Sequence, residues 1–151
     1  MKILCRLVVL LLLLVVGNGC ARTQDATLIG QPPDALTGTF VDDYGVTYTI
    51  SPTVWQQHPD NKYRVVAWHP EAGYLVAQND EQNVSDAGLW TRIDWIPLEG
   101  MPPYTWAYCL SAYNAPTRDA AAQTQLANKD TPRTGCNGFP FSRMKQAPEN
   151  E

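Results

Sequence analysis

The sequence predicts a mainly β domain with one helix: an antiparallel meander of about six strands, curled toward a small barrel in the manner of lipocalin-like shapes. Three observations carry this expectation. Short runs of alternating polar and apolar residues recur along the chain. Turn-forming clusters separate them. The five Trp and seven Tyr are spread along the chain, and a small sheet domain fills its interior with such rings.

The elements follow in order. Residues 37–41 form a first strand, and Asp42-Asp43-Tyr44-Gly45 turns it into a second at 46–51. There Val46, Tyr48 and Ile50 face one way, and Thr47, Thr49 and Ser51 the other. Pro70-Glu71-Ala72-Gly73 is a turn between strands at 63–69 and 74–80. After the polar loop QNDEQNVSDA, strands at 88–98 and 105–114 are joined through Gly100-Met101-Pro102-Pro103. The period then changes. Thr117 is placed to cap a helix from Arg118 to about Asn128. Its Ala-rich face, with Leu126 the single larger apolar residue, suits the surface or one end of the sheet. A loop, TGCNGFPF, follows, with Phe139 and Phe141 placed to cover the sheet.

The N-terminus reads as an export signal. Lys2 and Arg6 precede an apolar run, and 13 uncharged residues lie between Leu7 and Gly19. A spanning helix needs about 20 residues and a signal core about 7–15. The run ends Gly17-Asn18-Gly19-Cys20. This layout resembles the bacterial lipoprotein signal class. That resemblance implies that Cys20 becomes the first residue of the mature chain and carries lipid. The membrane would then be a partner through the acyl groups, which need no second anchor. Ala21, not Asp, follows Cys20. In Gram-negative bacteria this resembles the default passed to the outer membrane. Gly17 stands where the class usually has an aliphatic residue, so cleavage after Ala21, leaving a periplasmic or secreted soluble protein, is the alternative. Residues 1–19 are then the signal, 20–36 a tether, 37–144 the domain and 145–151 a disordered tail.

The cysteines agree with export. Cys5 leaves with the signal, Cys20 takes the lipid, and Cys109 and Cys136 are expected to pair, since exported chains keep disulfides. The closed loop is worth roughly 3–4 kcal/mol by the chain-entropy estimate.

Composition narrows the function. Lys2 and Arg6 leave with the signal, so nine basic residues face 15 acidic ones, with no basic block. Nucleic acid, which needs clustered Lys and Arg, is excluded as a partner. No G-x-S-x-G, P-loop, G-x-G-x-x-G or H-E-x-x-H occurs. His58 and His69 are too few for a metal site. No cofactor and no catalytic residue is called for. The densest cluster of polar and aromatic chemistry is 90–95, Trp-Thr-Arg-Ile-Asp-Trp. On a strand, Trp90, Arg92 and Asp94 share a face. This is a candidate binding face, with Arg92 reading an anion and Trp90 stacking. The competing reading is a structural Arg–Asp pair. Trp55 beside Gln56-Gln57, and Tyr104 after Pro102-Pro103, suit sugar or peptide binding.

The expected function is therefore a lipid-anchored, non-enzymatic binding or assembly module of the cell envelope, with an envelope protein or small ligand as partner. The alternatives are a lipocalin-like ligand carrier with a ring-lined cavity, and an enzyme site at Arg92 and Asp94.

Overall fold

The computed structural model describes residues 28–148. The segment expected to be an export signal, residues 1–19, and the expected lipidation site Cys20 lie outside them. Among the described residues no helix is long and apolar enough to cross a membrane.

The chain forms a closed antiparallel barrel of eight strands in sequence order. They are β1 (Gly38–Asp42), β2 (Thr47–Ile50), β3 (Val54–Gln57), β4 (Asn61–His69), β5 (Tyr74–Asn79), β6 (Trp90–Pro97), β7 (Trp106–Ala115) and β8 (Ser142–Gln146). Closure comes from β8, which pairs with β7 over Trp106–Tyr108 and with β1 over Phe40–Asp42. The barrel curl and the two expected hairpins are present.

The strand count differs from the expected six because β3 and β8 are short and polar. Each points one large residue inward, Trp55 at 1% and Met144 at 0% exposure. Outward they carry Val54 and Gln56 on β3, and Arg143 and Lys145 on β8. One inward side chain per crossing satisfies a small barrel but leaves a weak alternation. Lys145 and Gln146, expected in a tail, are therefore in a strand. At the other end, Ile29 pairs with β4, donating to Val66 at 3.0 Å and accepting from Trp68 at 2.7 Å. Leu36, in a 3-10 turn at Asp34–Leu36, is buried in the core. The domain thus starts before residue 37.

The helix, α1 (Arg118–Gln123), is shorter than expected. Thr117 caps it by accepting from the Ala120 N–H at 3.1 Å. Thr124 is extended, and the chain beyond it is drawn into a bridge between Ala127 and Cys136. The helix lies on the outer surface, where Ala121 is fully buried and Leu126 is exposed. Gly135 packs against the Asn128 carbonyl so closely that no Cβ fits. The Cys109–Cys136 disulfide forms, with Cα atoms 5.5 Å apart. It fastens the crossover to β7. Phe141 is buried beside it, whereas Phe139 is exposed.

Inside, the barrel is filled by edge-to-face rings. Trp106 meets Phe40 at 5.1 Å and Trp55 at 5.9 Å; Tyr108 meets Trp55 at 5.3 Å and Tyr48 at 5.6 Å; Trp68 meets Trp95 at 5.7 Å. These spacings are those of packed aromatic pairs.

Candidate functional site

Arg92 and Asp94 do share the outer face of β6, and the structure uses them as a clamp. Arg92 donates to both Asp94 oxygens, from Nε at 2.8 Å and Nη2 at 3.0 Å. Asp94 is 1% exposed. It also accepts from the Ser111 hydroxyl and lies 3.2 Å from Lys129 Nζ. Arg92 Nη1 reaches the Ala122 carbonyl of α1 at 2.6 Å. Lys129 in turn donates to the Ala72 and Gly73 carbonyls. Gly73 takes the left-handed conformation there (φ 65°), which favours glycine, and an added Cβ would also stand 3.1 Å from the Trp95 carbonyl oxygen. One buried carboxylate therefore ties β6, β7, α1 and the β4–β5 turn together.

The face expected to bind an anion is accordingly covered. Trp90 is half-buried and packs with Val66, Val76 and Ala115 on the surface under α1. The Arg92 guanidinium sits 3.8 Å from the centre of the Tyr74 ring, and His69 stacks on that ring at 4.4 Å. Burial, then the charges of Arg118 and Arg92, lower the pKa of His69.

A second buried carboxylate, Asp42, lies at the β1–β2 turn. It accepts from the Tyr44 and Val46 N–H groups at 2.9 Å each and from the Tyr48 hydroxyl at 2.9 Å. Tyr48 and Tyr108 hydroxyls share a hydrogen bond of 2.7 Å. Burial pushes Tyr108 up to about 12 and Tyr48 further in the same direction. Both phenols stay neutral and close the interior.

His58 and His69 do not converge. His58 Nε2 pairs with the Thr49 hydroxyl at 2.9 Å on the β2–β3 side. Trp55 is a core ring, not a rim residue. Among the described residues, no group of three or more His, Cys, Asp or Glu is placed to hold a metal.

An open concave surface lies elsewhere, outside the barrel over β7, β8 and the crossover. This groove holds about 520 Å³. Leu98, Met101, Ala107, Pro132, Pro140 and Phe141 line it, together with Asp43, Tyr44, Arg133 and Arg143. Arg143 donates to Asp43 from Nε at 2.8 Å, which raises its pKa. It also sits 4.8 Å from the Tyr104 ring. The sequence carried no sign of this groove. Its residues come from four separate segments, and only barrel closure and the disulfide bring them together.

Comparison with protein-family models, curated proteins and solved structures finds no match for this chain.

Proposed function

We propose that this chain is a lipid-anchored protein of the bacterial cell envelope, held on the outer membrane through Cys20, and that it serves as a non-enzymatic binding or assembly module. The N-terminal signal ending Gly-Asn-Gly-Cys20 carries the reading. The Cys109–Cys136 bridge supports it, because an oxidising compartment preserves such bonds. The use of the two buried carboxylates favours a module over an enzyme. Asp42 and Asp94 each spend their oxygens on holding turns and elements together.

The lipocalin-like alternative shares the closed barrel, yet here the positions that would line a cavity are ring-to-ring core. Binding is therefore assigned to the outside of the barrel.

The test is metabolic labelling with a palmitate analogue. Label is expected in the wild type and not in Cys20→Ala. Equal labelling of both overturns the lipid anchor and leaves cleavage after Ala21 as the better account.

A further inference from the structure

The outer groove has the features of a small-ligand site. Its volume of about 520 Å³ falls within the range of roughly 300–1,000 Å³ usual for such sites. Most of its lining is apolar, and its few charged residues could orient an amphiphile.

The charged residues of its lining are Asp43, Arg133 and Arg143, two cations against one carboxylate on an acidic protein. Arg133 is exposed and lines the groove, and it forms no ion pair among the described residues. Arg143 spends one donor on Asp43 and keeps other guanidinium donors. Lys145 is on the same side of β8, with Nζ 5.9 Å from the Tyr104 ring. Two of the eight described Lys and Arg residues thus line the groove, and a third, Lys145, lies beside Arg143 on β8. The lining suits an apolar body laid on Leu98, Met101 and Phe141 with one acidic head at Arg133.

We propose that this groove binds an amphiphilic anion, a molecule with an aliphatic or aromatic body and one carboxylate or phosphate. Arg133 pairs with the head, and Met101 and Phe141 contact the body. The assignment does not depend on the lipid anchor, since every residue used lies in the barrel and crossover.

The experiment uses the full chain in vesicles of neutral phosphatidylcholine and a photoactivatable dodecanoate, with labelled peptides mapped by mass spectrometry. Saturable labelling is expected on the segments around Leu98–Met101 and Pro132–Arg143, displaced by octanoate. Arg133→Glu should weaken apparent affinity by about tenfold or more, the scale of one lost charge-assisted hydrogen bond. Met101→Asp, at an exposed position, should weaken it too. Arg64→Glu makes the same charge change on β4, on the far side of the barrel, and should leave affinity unchanged. A photoactivatable phosphatidic acid in the vesicles distinguishes the source of the head. Groove labelling by it as well assigns a membrane lipid, and labelling by dodecanoate alone assigns a free amphiphile; either supports the site. Labelling spread over the barrel, or equal affinity of wild type and Arg133→Glu, overturns it.

Discussion

Replacing Asp94 by Asn should be among the most damaging single changes in this protein. The substitution keeps shape and removes charge. The side chain is 1% exposed and accepts from Arg92 twice, from Ser111, and from Lys129 at 3.2 Å. Arg92, at 12% side-chain exposure, would be left as a buried cation without its partner. Removing one member of a buried pair costs about 3–5 kcal/mol. Lys129 adds little to that figure, because its side chain is 30% exposed and solvent screens its share. Urea unfolding followed by tryptophan fluorescence measures the loss, and the midpoint temperature should fall by on the order of 10 °C or more. The pairing is tested by a cycle. Arg92→Leu with Asp94→Leu together should cost at least about 2 kcal/mol less than the two single changes summed. A loss under about 1 kcal/mol for Asp94→Asn, or simple additivity in the cycle, would refute the clamp.

Three further outcomes are expected. Cys109 and Cys136 should resist alkylation in the unreduced, denatured protein, and Cys136→Ser should cost roughly 3–4 kcal/mol in the same unfolding assay; quantitative alkylation without reductant would rule the bridge out. The lowered pKa of His69 means that the unfolded chain binds its proton first. Its contribution is complete above the ordinary value of 6.5 and declines as pH falls through it, so His69→Gln should flatten the pH dependence of unfolding between pH 7 and about 5; an unchanged slope speaks against the stacked arrangement. Met144→Ala, at a fully buried position where β8 closes the barrel, should cost about 2–5 kcal/mol, and calorimetry showing no shift would place β8 outside the cooperative unit.

Much of the fold was legible in the chain because strands with several inward residues repeat their alternation. The 46–51 run shows Tyr48 and Ile50 inward, as its pattern required. The 90–97 run also kept its parity, with Ile93 and Trp95 inside and Arg92 and Asp94 outside. β3 and β8 were illegible for the opposite reason, since Trp55 and Met144 are single inward residues among polar neighbours. The helix was foreseen from Thr117 and the alanines. Its early stop was not, because the bridge from Ala127 to Cys136 is a contact between positions nine apart. At the candidate sites, Arg92 and Asp94 could be paired by strand geometry alone. That Lys129, Ser111 and the Ala122 carbonyl complete the cage depended on where the crossover lands.

By itself, the sequence carried the reading of residues 1–19 as an export signal, the fate proposed for each cysteine, the β character of the domain and the side of the sheet each long-strand residue would take. These are local properties, set by hydrophobic run length, spacing and the period of two along a strand. Only the tertiary structure decided that the sheet closes, that rings fill its interior, that the Arg92–Asp94 face is roofed by α1, and that an apolar groove with Arg133 in its lining opens on the outside. Each of these depends on contacts between distant segments, such as β8 with β1 or Cys136 with Cys109. No period along the chain records such contacts; they arise where packing and closure bring the segments together.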